Sequence, residues 1–334
     1  MQLQQNISLK PYNTFGIDET AEYFIALHNT SDLEELTAFN KEKHILGGGS
    51  NILLTRAIQG LVVLNQLKGI QIEKENAEHV WLKVNAGEVW HDFVMHAVSN
   101  GWAGIENLAL IPGTVGAAPI QNIGAYGIDA KETIESVEGW HWLDKTFIRF
   151  SNDECKFGYR DSIFKHGLKD KVFVTSVTFR LNKRAAYHTG YGAVEQELER
   201  MGVQELSIQA IAQAVIHIRN SKLPDPKQIG NAGSFFKNPT IPIVQFEALK
   251  KAYADVPSYP AADGMIKVPA GWLVEQCGWK GYRKGDAGVH AKQALVLVNY
   301  SDATGSDVWN LSEEILHSVN NKFGIELERE VQLW

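Results

Sequence analysis

One uncharged loop, residues 111–127, constrains the fold of this chain more than any other stretch. It reads Ile111-Pro112-Gly113-Thr114-Val115-Gly116-Ala117-Ala118-Pro119-Ile120-Gln121-Asn122-Ile123-Gly124-Ala125-Tyr126-Gly127. Glycine permits positive φ and lets the backbone come close to a ligand. Two prolines and four glycines among small side chains disfavour a regular helix or strand and favour a fitted loop. A buried crossover between two elements is the alternative interpretation of the same composition.

A second glycine cluster, Gly47-Gly48-Gly49-Ser50-Asn51, lies upstream of this loop. It is not a dinucleotide-binding fingerprint, because G-x-G-x-x-G is absent and the apolar run Ile52-Leu53-Leu54 that follows predicts a strand rather than a helix. Alone, the cluster predicts a tight turn. Together with the long loop, it predicts a site where backbone N–H groups of two loops share one long, phosphate-bearing ligand.

Further motifs follow these two loops in a fixed order. They are Phe157-Gly158-Tyr159-Arg160-Asp161-Ser162, Lys222-Leu223-Pro224-Asp225-Pro226, Gly233-Ser234-Phe235-Phe236-Lys237-Asn238-Pro239 and Glu330-Val331. With these motifs in register, the chain resembles the UDP-N-acetylenolpyruvoylglucosamine reductases, a family of FAD enzymes of bacterial cell-wall precursor synthesis. The resemblance begins at Asn13 and runs to the C-terminus, so it covers nearly the whole chain.

The resemblance implies an α+β fold with an FAD-binding domain of the vanillyl-alcohol-oxidase type in two subdomains, plus a separate α+β substrate-binding domain. Residues 1–69 are expected to form the first subdomain, 70–219 the second and 220–324 the substrate domain. The C-terminal strand, residues 325–334, is expected to join the first subdomain and to carry Glu330 back towards the flavin.

Hydrophobic periodicity predicts the individual elements. Ser31 and Glu34 form a capping-box pattern that predicts a helix with Leu33, Leu36 and Phe39 inward. A second helix should begin near Val89 and end at Gly101, and its His91 and His96 are interpreted as surface residues. Helices are also predicted at 207–219, from 242, at 270–277 and at 308–323, and strands at 23–27, 45–46, 52–54, 61–64, 80–84, 137–142, 147–150, 172–181 and 294–299, with an alternating strand from 325.

Composition indicates which kinds of ligand and partner the chain is expected to bind. The chain of 334 residues has a net charge of −7, which argues against nonspecific nucleic-acid binding. Only Cys155 and Cys277 are present, so neither a disulfide framework nor a cysteine-rich metal site is expected. The N-terminus lacks a signal-peptide pattern, and no apolar run is long enough to span a bilayer. These features predict a cytoplasmic, monomeric protein without a metal, whose partners are small molecules.

The family's reaction, as the resemblance implies it, is the NADPH-dependent reduction of the enolpyruvyl group of UDP-N-acetylglucosamine enolpyruvate through non-covalently bound FAD. Hydride addition to the terminal methylene places negative charge on the neighbouring carbon and its carboxylate. By resemblance, Arg160 and Glu330 stabilise that charge and Ser234 donates the proton. Arginine offers a planar fork to a carboxylate, and a carbon-centred anion is basic enough to take a serine proton.

The resemblance also implies the binding residues. Cofactor contacts are expected from Gly47, Gly48, Gly49, Ser50, Asn51, Ile111, Pro112, Gly113, Gly116, Ala117, Gln121, Asn122, Gly124, Ala125 and Tyr126. Substrate contacts are expected from Tyr191, Arg219, Lys222, Asn238, Tyr259 and Gln293. Lys237 is expected to add positive charge, and Tyr191 lies in the turn-rich segment 187–192, which in one subgroup of the family closes over the substrate.

Two positions depart from the family pattern. Ala117-Ala118 stands where relatives often carry hydroxyls, so this loop would contact the flavin through its backbone. Gln332 replaces an arginine that is common two residues after the catalytic glutamate, which weakens that part of the expected diphosphate site.

A purely structural interpretation remains open for each of the three proposed catalytic residues. An isolated arginine such as Arg160 is usually a solvated surface group. On local composition Ser234 is an ordinary turn hydroxyl, and Glu330 shares a strand face with Glu326 and Glu328, which is typical of solvent exposure. Two rival functions also remain: a flavoenzyme of the same fold that oxidises an alcohol or sugar with O₂, and a UDP-sugar or flavin-binding module without chemistry. The presence of Arg160, Ser234 and Glu330 together argues against the second.

Overall fold

The computed structural model describes residues 2–261 and 264–334. In chain order the strands are β1 (Gln4–Ser8), β2 (Thr20–Leu27), β3 (Lys43–Leu46), β4 (Ile52–Leu53), β5 (Ile58–Asn65), β6 (Ile70–Glu75), β7 (His79–Asn85), β8 (Gly124–Ala125), β9 (Ile128–Asp129), β10 (Ile134–His141), β11 (Thr146–Ser151), β12 (Val172–Asn182), β13 (Gly230–Ser234), β14 (Thr240–Pro242), β15 (Tyr259–Pro260), β16 (Met265–Lys267), β17 (Arg283–Lys284), β18 (Ala287–Val289), β19 (Val296–Asn299) and β20 (Gln332–Leu333). The helices are α1 (Leu33–Ala38), α2 (Trp90–Ser99), α3 (Gly192–Arg200), α4 (Ile208–Lys222), α5 (Ile243–Ala252), α6 (Ala270–Gln276) and α7 (Gly305–Phe323). Within the described ranges, no helix has both the length and the apolar character needed to cross a membrane.

The chain divides into two units, and both are discontinuous in sequence. The first consists of Met1–Ile7, Ala21–Gly49 and Ile58–Ser221. The second consists of Ser8–Thr20, Ser50–Ala57 and Lys222–Trp334. Two short N-terminal segments therefore belong with the C-terminal third of the chain. The three predicted domains, with boundaries after residues 69, 219 and 324, stay a prediction.

Two sheets form the framework of the first unit. A four-stranded sheet has the order β1-β2-β5-β3, in which β5 runs parallel to both β2 and β3. An antiparallel five-stranded sheet has the order β11-β10-β12-β7-β6. In β7 buried and half-buried residues alternate along the strand, as expected for a strand with one face on a core.

The main core of the first unit lies between the five-stranded sheet and its helices. Trp90 and Phe93 of α2 are fully buried and contact Phe179 of β12 with ring centroids 5.8 and 4.8 Å apart. Ile211 and Val215 of α4, one helical turn apart, are buried in the same cluster. These aromatic and aliphatic side chains fix the direction in which the chain leaves α2 and enters residues 111–127.

The second unit contains two small antiparallel sheets. One has the order β13-β19-β18-β17 and the other β14-β16-β15. Helix α7 begins at a capping box, in which Thr304 Oγ1 accepts from the N–H of Asp307 at 3.2 Å and Asp307 Oδ2 accepts from the N–H of Thr304 at 2.9 Å. It ends at Gly324, whose φ of +63° is the left-handed conformation that glycine adopts most easily.

The end of the chain pairs with a segment near its beginning. Strand β20 lies parallel to β4, with Gln332 opposite Ile52 and Leu333 opposite Leu53. The carbonyl of Trp334 accepts from the N–H of Thr55 at 2.9 Å. Segment 50–57 is thereby held by the last residues of the chain.

Two local predictions are wrong. Helix α1 begins at Leu33 after a short 3₁₀ turn, and its N-cap Asp32 makes no side-chain cap bond, so the capping box predicted at Ser31 does not form. The segment from Ile325 keeps its alternation of buried and exposed residues but forms only an isolated bridge at Arg329 and the short β20. Hydrophobic patterning reports which face is buried, whereas a strand also requires a paired neighbour.

Candidate active site

The two glycine loops lie against each other in the first unit. A Cβ placed on Gly48 would lie 2.9 Å from the Cα of Gly113, and one on Gly47 would lie 2.7 Å from Oγ1 of Thr114. Both distances are shorter than van der Waals contact, so only glycine fits at these positions. The proximity predicted from sequence for the two loops is therefore present, and side-chain-free backbone is exposed to any ligand along this seam.

The long loop adopts an unusual backbone conformation. Asn122 and Tyr126 have φ of +46° and +50°, and Leu110 just before the loop has +58°. Residues other than glycine adopt this left-handed region rarely and at an energetic cost. Such positions concentrate at ligand-binding sites, where the surrounding structure holds them.

Gly116 and Asn122, two of the expected cofactor residues, are held in place by contacts within the first unit. Gly116 packs on Ala86, since an added Cβ would lie 2.5 Å from the Ala86 Cβ, and its N–H donates to the Ala86 carbonyl at 2.8 Å. Asn122 is fully buried, its Nδ2 donating to the Gly158 carbonyl at 2.9 Å and its Oδ1 accepting from the N–H of Lys131 at 2.9 Å. The Asn122 side chain is therefore occupied in holding the loop.

The Asn122 amide also attaches the motif of residues 157–162 to the loop. Ser162 adds a second attachment, because its Oγ donates to the Ile120 carbonyl at 2.6 Å. Between these anchors stands Arg160, with a left-handed φ of +52°. Its guanidinium donates to the carbonyls of Asn122, at 3.3 Å, and Gly124.

Asp129 is the ionic partner of Arg160, at 3.4 Å from Nη1. The side chains of Arg160 and Asp129 are 16% and 31% exposed, so the pair is open to solvent on one side. A Cβ on Gly124 would lie 1.9 Å from Asp129 Oδ1 and 2.9 Å from Arg160 Nη1, so glycine makes room for the pair. Sequence reasoning missed Asp129. The signal was Asp129-Ala130-Lys131-Glu132, a capping-box pattern that the structure contains, with Glu132 Oε1 accepting from the N–H of Asp129 at 2.9 Å.

Tyr126, Tyr191 and Arg219 come together in the first unit. The rings of Tyr126 and Tyr191 meet edge to face, with centroids 5.6 Å apart. The Tyr126 phenol hydrogen-bonds to the Arg219 guanidinium, and burial raises the pKa of Tyr126. An expected cofactor residue and two expected substrate residues are thus neighbours.

His91 is part of the same region, and its interpretation as a surface residue is wrong. Its ring is half-buried, and Nδ1 accepts from the N–H of Leu110 at 3.0 Å. Burial is the main cause that lowers the pKa of His91. The Leu110 carbonyl accepts from Arg219 Nε at 3.1 Å. His91 therefore binds the N–H of Leu110 and Arg219 binds its carbonyl, and Leu110 has a left-handed backbone. His96, by contrast, is exposed as predicted.

Ser234 and Glu330 both lie in the second unit, on adjacent extended segments. Phe236 bridges Arg329 in antiparallel fashion, and the N–H of Glu330 donates to the Phe235 carbonyl at 2.9 Å. Gly233, with φ of +72°, forms the bend before Ser234. Glu330 therefore lies opposite Phe235, the residue that follows Ser234. The two expected catalytic residues are thus offset by one position across two antiparallel segments.

Asn51 fixes the position of Glu330 in this unit. Its Nδ2 donates to the Glu330 carbonyl at 3.2 Å, and its own carbonyl accepts from the N–H of Gln332 at 3.0 Å. Ser50 precedes it in the same segment.

Lys237, which is expected to add positive charge, is part of an ion pair. Its Nζ pairs with Oε1 of Glu328, and the Lys237 side chain is only 13% exposed. The carboxylate of Glu328 therefore neutralises it. Lys222 is exposed at the end of α4.

Three further expected substrate residues lie around α6 and the β14-β16-β15 sheet. Asn238 Oδ1 accepts from the N–H of Ala270, the first residue of α6, at 2.9 Å. Gln293 lies beside the next residue, since a Cβ on Gly271 would be 3.2 Å from its Oε1. Tyr259 is exposed and pairs with Lys267 across β15 and β16. Asn238 and Gln293 are therefore brought together at the first turn of α6.

The first unit fits an extended diphosphate cofactor such as FAD. The seam of Gly47, Gly48 and Gly113 leaves no space for side chains and presents peptide groups instead, which suits a phosphate-bearing ligand. Among residues 2–261 and 264–334, no group of three or more His, Cys, Asp or Glu residues is arranged to hold a metal ion.

Comparisons with known proteins agree on one family. The C-terminal domain of UDP-N-acetylenolpyruvoylglucosamine reductase matches residues 225–334, and an FAD binding domain matches residues 21–146. The UDP-N-acetylenolpyruvoylglucosamine reductases of Flavobacterium johnsoniae and Chromobacterium violaceum are 48% and 49% identical to this chain; the first alignment covers 100% of both chains, and the second covers 99% of this chain and 98% of the relative. That of Pseudomonas aeruginosa is 45% identical over 100% of this chain and 99% of its own.

A solved structure shares the fold. The crystal structure of UDP-N-acetylenolpyruvylglucosamine reductase from Thermus caldophilus superposes with a TM-score of 0.71 at 24% identity, and the alignment covers 100% of this chain and 99% of that one. Its fold therefore extends over this entire chain.

Proposed function

The chain belongs to the UDP-N-acetylenolpyruvoylglucosamine reductase family, and from that premise we propose that it reduces UDP-N-acetylglucosamine enolpyruvate to UDP-N-acetylmuramate with NADPH as hydride donor. It is an FAD-dependent oxidoreductase of the α+β class, because an FAD binding domain occupies residues 21–146 and helices and strands are mixed throughout. Its substrates are small molecules, and its product is a precursor of peptidoglycan.

The position of Arg160 is the main structural support for this proposal. Its guanidinium is attached to the carbonyls of Asn122 and Gly124 in the glycine-rich loop, and Asp129 orients it from one side. A cation fixed on a cofactor loop is placed to receive a substrate carboxylate next to the cofactor. An arginine fork recognises a carboxylate by two parallel hydrogen bonds.

FAD, when bound, supplies the hydride chemistry, accepting hydride from NADPH and passing it to the terminal methylene of the enolpyruvyl group. The residues of this chain manage the charge that results. Arg160 stabilises the negative charge that spreads into the substrate's carboxylate. Ser234 donates its hydroxyl proton to the neighbouring carbon, which completes the reduction, and then regains a proton from solvent.

Glu330 is the third catalytic residue in this proposal. A carboxylate that met the substrate's own carboxylate unprotonated would oppose it, so Glu330 acts with a shared proton or beside a cation. Its backbone supports such a role, because the N–H and the carbonyl of Glu330 are both hydrogen-bonded, to Phe235 and Asn51.

Six residues are proposed to recognise the substrate. The side chains expected to contact the UDP-sugar are those of Tyr191, Arg219, Lys222, Asn238, Tyr259 and Gln293. NADPH carries a similar diphosphate, so we expect both ligands to use the same groups in turn, which implies ping-pong kinetics. On the basis of the segment 187–192 with Tyr191, we also propose that the chain belongs to the subgroup whose tyrosine loop closes over the substrate.

The FAD is proposed to bind without a covalent bond. Covalent flavin attachment uses a histidine or cysteine at the ring, and neither Gly47–Asn51 nor residues 111–127 contain one. Acid denaturation followed by filtration should release the yellow colour from the polypeptide, and flavin that stays with the chain would contradict this prediction.

The cellular location and the oligomeric state are also proposals. Net charge of −7 and two unpaired cysteines support a monomer in the cytoplasm that does not bind nucleic acid. Sedimentation at the protein concentration used in the activity assay tests whether the protein is a monomer.

One experiment tests the function. The purified yellow protein is mixed anaerobically with NADPH, then with the enolpyruvyl substrate, and flavin absorbance is followed. We expect bleaching in the first step and full return of the absorbance in the second, with UDP-N-acetylmuramate as product. Return of the absorbance only with O₂ would indicate the rival oxidase, and no bleaching would indicate a binding module.

A further inference from the structure

Asn107 connects two loops that the proposed function assigns to different ligands. It lies in a 3₁₀ turn, Glu106–Leu108, just before the glycine-rich loop, and is 1% exposed. Its Nδ2 donates to the Tyr126 carbonyl at 3.3 Å and to the His188 carbonyl at 2.8 Å. Tyr126 belongs to the loop assigned to the cofactor, and His188 to the segment assigned to the substrate.

The chemistry of the Asn107 side chain suits this connection. A primary amide carries two N–H donors in one plane, so a single asparagine can bind two backbone carbonyls from different loops. Aspartate lacks these donors, and leucine has the shape without them. Because the amide is buried, removing it would leave two carbonyls without their partner, which costs more than an exposed hydrogen bond would.

The backbone conformations on both sides explain why such a connection is needed. Tyr126 has a φ of +50°, which a residue other than glycine keeps only when its surroundings hold it. Residues 185–190 form neither helix nor strand, and His188 and Gly190 are exposed. Three residues after His188, Tyr191 is the N-cap of α3, and its ring meets that of Tyr126.

We propose that Asn107 is a positioning residue that holds the segment 187–192 on the glycine-rich loop, so that Tyr191 is already placed for the substrate when the cofactor loop is in its bound conformation. The proposal rests on the proposed function, in which Tyr191 contacts the UDP-sugar and Tyr126 the cofactor. Asn107 itself touches neither ligand.

The expected kinetic signature follows from a population argument. A loop that is in its binding conformation only part of the time lowers the apparent affinity by that fraction and leaves the bound complex unchanged. If the loss of the connection leaves the segment in place about a tenth of the time, the apparent Kd rises about tenfold and the rate at saturation stays the same.

The test compares the holoenzymes of Asn107→Leu and Asn152→Leu with the unmodified protein. Asn152 is a matched control, because its Nδ2 also donates to two backbone carbonyls of the first unit, those of Lys131 at 2.8 Å and Ile134 at 2.6 Å. Anaerobic reoxidation of NADPH-reduced enzyme is measured against substrate concentration. Asn107→Leu should raise the half-saturating concentration about tenfold with the limiting rate within about twofold, and Asn152→Leu should change neither.

Proteolysis gives a second measurement that does not depend on activity. Arg184 is exposed just before the segment, and trypsin should cleave after it about tenfold faster in Asn107→Leu than in either comparison protein. Saturating substrate should suppress this cleavage. Equal cleavage in all three proteins, or faster cleavage without any change in half-saturation, would overturn the proposal.

A double variant tests whether Asn107 acts through Tyr191. In a Tyr191→Ala protein, adding Asn107→Leu should raise the half-saturating concentration less than twofold, since residues that act through one contact are not additive. A full tenfold rise in that background overturns the proposal. If Asn107→Leu does not fold, Asn107→Ser, which lacks the reach for either carbonyl, takes its place in the same comparisons.

The same experiment distinguishes failure of the proposed function from failure of the proposed role of Asn107. An unmodified protein that substrate cannot reoxidise overturns the proposed function and this role of Asn107 with it. An unmodified protein that is reoxidised normally, beside an Asn107→Leu protein with unchanged half-saturation, overturns the role of Asn107 alone.

Discussion

Glu328 and Glu330 lie two residues apart near the C-terminus but have different surroundings. The Glu328 side chain is 69% exposed and pairs with Lys237. Glu330 is half-buried, and both its backbone groups are hydrogen-bonded within the second unit. Alternation along a strand places the two carboxyls on one face and cannot distinguish them. The difference comes from what packs beside each, which is a property of the folded chain.

Glu330→Gln is expected to fold, to retain FAD and to be reduced by NADPH, but to be reoxidised by the substrate far more slowly than Glu328→Gln. Glutamine keeps the shape of the side chain and can donate a hydrogen bond, but it cannot adjust its charge as the substrate's carboxylate gains charge. Glu328→Gln loses one ion pair whose carboxylate is 69% exposed, and such a pair is worth at most about 1 kcal/mol of stability. Single-turnover reoxidation rates of the two variants are compared directly. Equal rates would remove Glu330 from the active site.

Ser234→Ala is expected to separate the two half-reactions. Flavin reduction by NADPH should stay nearly normal, because the Ser234 proton is needed only after hydride has left the flavin. Reoxidation by the substrate should slow by about a hundredfold to ten-thousandfold, the usual range for one catalytic proton transfer. Stopped-flow absorbance measures both steps, and Ser301→Ala, an exposed serine of the same unit, serves as control. Equal slowing of both steps would make Ser234 a binding or folding residue.

Individual side-chain partners were the least predictable feature of the site. The pairing of Lys237 with Glu328 and the partial burial of His91 could not be predicted, because neither ion pairing nor burial can be inferred from an isolated polar residue. Asp129, the partner of Arg160, was overlooked although its capping pattern is visible in the sequence. The roles of Arg160, Ser234 and Glu330 were suggested by family motifs, since local composition favours bland interpretations of all three.

At the scale of elements, long helices and strands with a regular apolar face were predictable, whereas several short or exposed ones were not. The long strand β12 and the helices α2, α4 and α7 are all near their predicted positions, because each buries a regular apolar face. Strand β6 was missed, since five of its six residues are exposed and sheet-edge strands carry little hydrophobic pattern. Helix α3 was missed although Val194 and Leu198, four residues apart, are both buried.

Gly48→Ala tests the contact between the two glycine loops. The added Cβ would lie 2.9 Å from the Gly113 Cα, and because backbone cannot rotate away, the loops must separate. Overpacking of this kind typically costs about 1–3 kcal/mol. Since about 1.4 kcal/mol is a factor of ten in an equilibrium constant, FAD should dissociate at least about fivefold more readily. Gly167→Ala is the control, since its nearest neighbour would be 4.0 Å away. Flavin retained after gel filtration is measured, and equal retention by the two variants would show that the loops do not need this contact.

At the scale of the whole molecule, the second unit is assembled from three separated stretches of sequence. The family's C-terminal domain matches residues 225–334, but the unit also contains Ser8–Thr20 and Ser50–Ala57. The N-terminal segment is buried there: Phe15 is 1% exposed and meets Phe235 edge to face, with ring centroids 6.3 Å apart. The resemblance suggested that the chain's end returns towards its start, whereas no sequence pattern indicated that residues 8–20 belong to the same unit.

Residues 225–334 expressed alone are therefore expected not to fold. The buried Asn299 would lose the Phe15 carbonyl to which its Nδ2 donates at 3.0 Å, and the N–H of Asn231 would lose the Thr14 carbonyl at 3.0 Å. Strand β20 would lose its partner β4. Each unsatisfied buried group costs about 1–3 kcal/mol, so together these losses approach the 5–15 kcal/mol that stabilises an ordinary domain.

Near-UV circular dichroism and amide dispersion in NMR spectra measure the outcome. The matched comparison is the full chain carrying a protease site beside Lys227, cut after folding. The cut chain still contains residues 8–20 and 50–57, so it should keep the near-UV signal of the uncut protein, while the isolated fragment should lack it. A fragment with native-like dispersion would mean that the core of β13, β19 and α7 is sufficient by itself, and that the two N-terminal segments are attached to a finished domain rather than being part of it.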